Sequence, residues 1–342
     1  VERRCLEFTG FYSKEVHGEA TVRRLAEDLL ATLHEIIEHC TQPAAGGRTP
    51  SDFPLARLDQ PTVDRLVGAG RSVEDVYPLT PTQTGMVFHS LVDTSSGAYF
   101  NHVQLRLSGV SDPQALGQAW QRVVDRTPIL RSSVVWEGVA EPLQVVQREV
   151  TLPVSYHDWA GWSDGQRHDV LRRLLARDRA EGLDLATAPL LRLVIVRLSD
   201  DEVLLVWTFH HVLLDGWSAA QVFGEVCEQY AAIVQGRQPT LVGRRPFRDY
   251  LHWLRERDER EAQQYWRGVL AGFDSPTALP FDRQPLEAHR TESSNTVRVT
   301  LSAEQSSRLR EATQRNGLTM NTVIQGAWGL LLSRYSAERD VV

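Results

Sequence analysis

Lysine is almost absent from this sequence: Lys14 is the only one, and arginine supplies every other long basic side chain. Acidic residues outnumber basic ones, 44 to 37, which leaves a net charge of −7. Phosphate binding needs a basic surface, so nucleic acid is not expected as a partner. Cysteine is scarce too. Cys5, Cys40 and Cys227 lack metal-ligand or redox spacing and read as buried thiols in a reducing cytosol. Long apolar runs are missing, because Arg, Asp or His interrupts every stretch well short of a membrane span, so no membrane partner is expected. Val1 to Arg4 give no charged-then-apolar leader. The chain opens without Met in what reads as mid-strand, as a piece of a longer polypeptide would. Internal repeats and low-complexity tracts are absent.

What is present is the composition of a globular protein. The chain has 342 residues, 42% hydrophobic and 24% charged, enough for two ordinary domains or one domain plus pieces. Residues 5–13 alternate and are rich in aromatics, which predicts a strand. Val22, Leu25, Leu29, Leu33, Ile36 and Cys40 then recur three or four apart and predict an amphipathic helix. Residues 43–54 are rich in Pro, Gly and Ala and read as a linker. A short amphipathic piece at 58–67 ends in Gly68-Ala-Gly70, and a domain boundary is placed near residue 72.

Beyond it strands and helices alternate. Tyr77-Pro-Leu-Thr-Pro81 leads into a helix carrying Met86, Val87, Leu91 and Val92, with Met86 and Phe88 read as packing. A strand is expected at 102–107. The next helix has Ser111 or Asp112 as its cap and Pro113 in its first turn. Strands near 130–136 and 143–148 suit a hairpin around Glu137-Gly138. A strand at 154–157 and a polar helix at 164–180 follow. Two apolar strands, 190–198 and 202–210, are joined by Ser199-Asp200-Asp201. The second is apolar on both faces and belongs inside a covered sheet. Ser218 is expected to cap the following helix. A helical stretch at 248–270, a strand at 296–301, a helix opened by a Ser302–Gln305 capping box and closed by Gly317, and a last helix carrying Val323 to Leu332 complete the reading.

One run stands out chemically: His210-His211-Val-Leu-Leu-Asp215-Gly216-Trp217-Ser218. Two histidines sit where a buried strand ends and a helix is about to begin. Side chains there can face a cavity while the sheet holds them rigid. Imidazole is the side chain best suited to moving protons near neutral pH. Adjacent histidines at a strand end are equally common as core groups with satisfied hydrogen bonds. Asp215 is suited to pair with an arginine, and Gly216 to a turn that other residues resist.

His210-His211-x-x-x-Asp215-Gly216 resembles the signature of nonribosomal peptide synthetase condensation domains and of the wider chloramphenicol-acetyltransferase-like superfamily. Tyr77-Pro-Leu-Thr-Pro-Thr-Gln-Thr-Gly-Met-Val-Phe-His-Ser-Leu91 is similar to the opening motif of condensation domains that follow an epimerization domain. Arg126-Thr-Pro-Ile-Leu-Arg131-Ser resembles the second motif, with Thr127 where His is usual and Ser132 where Thr is usual. Phe247-Arg-Asp-Tyr-Leu-His-Trp253 resembles the fourth, with Phe247 in place of Tyr. The resemblance covers residue 73 to the end.

The resemblance implies an α/β fold, a mixed sheet covered by helices, with residues 73–255 as the first lobe and 256–342 as the start of a second, incomplete lobe. Residues 1–42 resemble the C-terminal remnant of an epimerization domain and 43–72 its exit linker. The implied reaction joins a donor peptidyl thioester ending in a D-residue to the amine of an acceptor aminoacyl thioester. Both substrates would arrive on the 4'-phosphopantetheine arms of carrier proteins, with no cofactor or metal bound directly. Epimerization, adenylation and carrier domains are the implied neighbours, in the cytoplasm. His211 is assigned the proton, as base on the amine or as stabiliser of the zwitterionic intermediate. His210 is assigned a structural role on the opposite strand face. Asp215 is expected to pair with Arg131, or else Arg126, and Gly216 to permit the turn and bring its N–H near the carbonyl. Trp217 and Ser218 are candidates for the substrate channel, although Trp217 reads first as core. The competing readings are an epimerization domain, a coenzyme A-dependent acyltransferase and a non-catalytic docking module.

Overall fold

The computed structural model describes residues 8–42, 47–68, 72–92, 97, 99–280 and 297–342. In chain order the elements are α1 (Glu19–Thr41), α2 (Gln60–Val67), β1 (Val73–Pro78), α3 (Pro81–Val92), β2 (Phe100–Ser108), α4 (Pro113–Arg126), β3 (Ser132–Val135) and β4 (Leu143–Gln147). They continue as β5 (Val154–Asp158), α5 (Asp164–Glu181), β6 (Leu191–Arg197), β7 (Glu202–His210) and α6 (Gly216–Gln235). Four helices finish the chain: α7 (Phe247–Arg255), α8 (Glu259–Val269), α9 (Ala303–Arg315) and α10 (Met320–Ser336). The chain divides into two compact units. The first holds Val1–Pro81, Asn101–Val170 and Leu183–Phe247; the second holds Thr82–Phe100, Leu171–Gly182 and Arg248–Val342. The expected change of lobe after residue 255 thus compares with a change of unit after Phe247.

In the first unit a four-stranded sheet of order β2-β7-β6-β5 forms the main layer. β6 and β7 run antiparallel from Leu191↔Phe209 to Arg197↔Val203, and β5 lies parallel to β6. The sheet is therefore mixed, and β7 sits inside it. That position explains why Val203, Leu205, Val206, Trp207 and Phe209 are all buried although they alternate between two faces. Helix α4 has its apolar residues three or four apart, and Leu116, Ala119, Trp120, Val123 and Val124 are all buried. Asp112 caps it, accepting from the Ala115 N–H at 2.9 Å. The Trp120 ring meets Trp207 of β7 edge-on at 4.6 Å, and α6 packs along α4.

A second, three-stranded antiparallel sheet has the order β1-β4-β3. The expected β3–β4 hairpin is present. Its connection carries Gly138 at φ +66°, and Arg65 donates to the carbonyls of Glu137 and Gly138 at 3.2 and 2.5 Å. The left-handed backbone and the guanidinium packed against it both favour glycine there. β1 was not expected. A bulge between Val73 and Asp75 sets Val73 and Val76, three residues apart, into the same core and so hides the period of two.

The linker reading of 43–72 meets a packed segment. Residues 43–46 and 69–71 lie outside the described residues. Phe53 and Ala56 are buried with Val63 and Val67 of α2 against Val76 of β1 and Leu143 of β4. Asp59 caps α2, accepting from the Thr62 N–H. Proline and glycine around this segment mark its turns, not a free tether. Helix α1 forms where its periodicity places it, yet none of its residues is buried. Residues 8–13 form no strand, and residues 1–7 lie outside the described set. Cys40 and Cys227 are free and exposed, which corrects the buried-thiol reading; Cys5 is outside the described residues.

In the second unit the stretch expected as one helix at 248–270 is two. Asp258 accepts from the N–H groups of Arg260 and Glu261 and so starts α8 afresh after α7 ends at Arg255. Residues 297–301 form no strand, and Val297 and Val299 are exposed; Thr296 lies outside the described residues. The capping box at α9 is complete, with Ser302 and Gln305 bonded in both directions, and Gly317 follows the helix at φ +62°. Among the described residues no helix is long and apolar enough to cross a membrane.

Candidate functional site

β7 delivers two histidines to its C-terminal end, and they meet different surroundings. His210 is buried, at 3% exposure. Its Nδ1 accepts from the Val212 N–H at 3.1 Å. Burial, with His211 alongside, pushes its pKa down to about 4, so the ring stays neutral. His211 is half-buried. Its Nδ1 lies 2.5 Å from the Leu214 carbonyl oxygen. A carbonyl can only accept, so Nδ1 carries a hydrogen, and in the neutral ring Nε2 carries the lone pair. Val212, Leu213 and Leu214 are buried, which fixes the turn that presents this carbonyl.

His211 lines a cleft of about 390 Å³. Asn101, Val103 and Leu105 of β2, two residues apart, supply one part of its wall; Trp207 and Phe209 of β7 supply another. Ala219, Ala220 and Phe223 of α6 face them, and Asp215 and Gly216 complete the lining. The wall is thus mainly apolar with a few polar groups, as in small-molecule sites. Sequence reading placed His211 there but missed Asn101, because the strand was started at His102. The available signal was the period of two, which extends back from Leu105 through Val103 to Asn101. Among the described residues no three His, Cys, Asp or Glu side chains gather as metal ligands would.

The expected arginine pairing of Asp215 does not form. Asp215 is the N-cap of α6: its Oδ1 accepts from the Ser218 N–H at 2.7 Å. That bond holds its carboxyl below the usual carboxylate range. Ser218, expected as the cap, is the capped donor instead, because the aspartate three residues earlier already has extended backbone and a carboxylate to offer. Arg131 is buried elsewhere. Its Nη1 pairs with Glu74 at 2.8 Å and donates to the carbonyls of Gln147 and Arg148, and its Nε donates to Val124 O. It therefore joins the end of α4 to β1 and β4. Arg126 pairs with Glu225 of α6 at 3.5 Å, and Arg244 pairs with the same carboxylate. Trp217 is 81% exposed and is not core. Gly216 does not have positive φ, and a Cβ built on it would meet nothing within 4 Å. The turn expected to demand glycine does not require it.

A family model described as "Condensation domain" matches residues 73–342. The chain belongs to the condensation domain family. Such domains form peptide bonds in nonribosomal peptide synthesis. A linear gramicidin synthase polypeptide of Brevibacillus parabrevis is 42% identical over 337 residues, 98% of this chain and 7% of that protein. Bacitracin synthase 3 of Bacillus licheniformis is 35% identical over 332 residues, 97% of this chain and 5% of that protein. This condensation-family chain thus spans less than a tenth of the length of these relatives. Among solved structures, the X-domain from teicoplanin biosynthesis aligns with a TM-score of 0.61 at 29% identity, covering 75% of this chain and 57% of that one. The first condensation domain of the CDA synthetase aligns with a TM-score of 0.64 at 21% identity, covering 78% and 63%. The fold is the chloramphenicol-acetyltransferase-like α/β fold that condensation domains share.

Proposed function

We propose that this chain forms the peptide bond between two carrier-bound thioesters, with His211 managing the proton. The observation that carries the reading is the tethered ring: Nδ1 bonds to the Leu214 carbonyl, Nε2 has no partner among the described residues, and His211 lines an open cleft. The acceptor amine attacks the donor thioester carbonyl. A C–N bond forms, the C–S bond breaks, and sulfur leaves as thiolate. The Nε2 lone pair takes the proton from the attacking nitrogen, or holds the N–H of the zwitterionic intermediate, and the proton ends on the leaving sulfur. A positioned imidazole contributes about 10²–10⁴-fold to such a step. Alignment of the two tethered reactants supplies more.

Each thioester is presented on the 4'-phosphopantetheine arm of a donor or acceptor carrier, and the donor ends in a D-residue. Residues 1–42 belong to an upstream epimerization domain, and adenylation and carrier domains share the polypeptide, in the cytoplasm. Asp215 and His210 support His211 by fixing the α6 cap and the strand end, while Arg131 and Arg126 hold the surrounding layers. Gly216 and Ser218 border the substrate path.

The test uses a polypeptide containing residues 1–342 with loaded donor and acceptor carriers. Mass spectrometry of the acceptor carrier should show the donor group transferred onto it, faster for a D-ending donor than for its L-epimer. Acyl transfer from coenzyme A thioesters to a free amine, or carrier binding with no extended product, would contradict the reading.

A further inference from the structure

Two residues that line the cleft beside His211 carry buried hydrogen-bonding groups with no partner among the described residues. Asn101 Nδ2 is buried without a hydrogen-bond partner among the described residues, as is Trp207 Nε1. Both residues line the cleft. Leaving a buried donor unmade costs stability, and nearly all such groups in folded proteins find a partner. An orphan at the wall of a cleft therefore points to a partner that comes from outside.

The chemistry of the lining narrows that partner. Both orphans are neutral N–H donors, so the ligand atom is an acceptor. Val103, Leu105, Phe209 and Phe223 make the surroundings apolar, and the Asp215 carboxylate borders the same cleft. A ligand with its own negative charge would be desolvated there without a fixed cation and would face that carboxylate. An uncharged carbonyl oxygen fits. Position agrees. Arg106 near the end of β2 pairs with Glu202 at the start of β7 at 2.5 Å, and the Val110 N–H donates to Asp201 O. The far end of β2, where Asn101 sits, therefore lies toward the His210–His211 end of β7.

We infer that Asn101 is a substrate-positioning residue whose Nδ2–H donates to a carbonyl oxygen of the acyl donor in the cleft. The inference rests on the peptide-bond-forming reading above. One hydrogen bond to a neutral carbonyl corresponds to about tenfold in affinity.

The test compares wild type with Asn101→Leu, which keeps the volume and removes the amide. It uses a polypeptide containing residues 1–342 and the pantetheine thioester of N-acetyl-D-alanine, carbon-13-labelled at both carbonyls. Three results are expected: the variant melts at the same or a higher temperature, its KM for the donor rises about tenfold, and the carbonyl infrared downshift seen on binding to wild type disappears. A lower melting temperature would make Asn101 a structural residue and overturn the inference, as would an unchanged KM with an unchanged carbonyl band. His211→Ala, run in parallel, separates the two levels. If it retains wild-type peptide formation, the underlying reading fails. If it is inactive while Asn101→Leu behaves as wild type, only this inference fails.

Discussion

His210 and His211 differ by one position in sequence, and the pleat turns that difference into two chemistries. His210 points into packed interior and stays neutral; His211 reaches the cleft with one nitrogen tied back. The buried ring has a measurable consequence for stability. An unfolded histidine titrates near 6.5, whereas burial brings His210 down to about 4. Between those pH values the unfolded chain binds a proton that the folded chain refuses, so stability falls as pH drops through this window and is complete above it. Denaturant melts at pH 7 and pH 4.5 should show wild type losing about 2 kcal/mol more than His210→Asn. Equal losses would place the His210 ring in contact with water. At this scale the catalytic candidate was legible from the motif, but its tautomer was not, because the Leu214 carbonyl is placed by a turn whose shape the sequence does not spell out. Asn101 was hidden by a strand start misplaced by two residues.

α6 begins where the site needs a fixed backbone, and Asp215 is what fixes it. The aspartate satisfies the Ser218 N–H, one of the donors every helix start leaves open. Asp215→Ala should cost about 1 kcal/mol in a denaturant melt, and Asp215→Asn, which keeps an acceptor oxygen, should recover most of it. An equal loss in both variants would mean that charge, not the cap, matters. Charge pairing was the part that sequence reading got wrong. Arg131 and Asp215 carry opposite charges and both fall in motif-like segments, but Arg131 finds Glu74, 57 positions away, because β1 lies beside β4. Partner choice among charged side chains follows from tertiary neighbours that periodicity does not report. Helices with caps and clean stripes, such as α4 and α9, were legible; β1, with its bulge, and the α7–α8 break, with only an aspartate to mark it, were not.

The whole chain is uneven in what holds it together. α1 buries nothing among the described residues, whereas Phe53, Ala56, Val63 and Val67 share a core with β1 and β4. Deleting residues 1–42 should therefore leave the melting temperature of the remaining chain within a degree or two, while deleting 1–68 should collapse it, since several buried apolar side chains at roughly 2 kcal/mol each would be lost. Similar melting of both truncations would contradict the packed role of 47–68. The alternation of strands and helices and the inner place of β7 were readable from apolar pattern and turns, whereas the mixed α/β sheet followed from the family resemblance. The packed segment ahead of β1 was not, because its Pro- and Gly-rich composition matches that of a free linker. The proposed chemistry turns on a single ring nitrogen. Its most direct test is the single-turnover rate of peptide formation by His211→Ala with both carriers loaded, measured beside its melting curve. The expected result is a fall of about 10²–10⁴-fold with melting unchanged; a rate near wild type would contradict it.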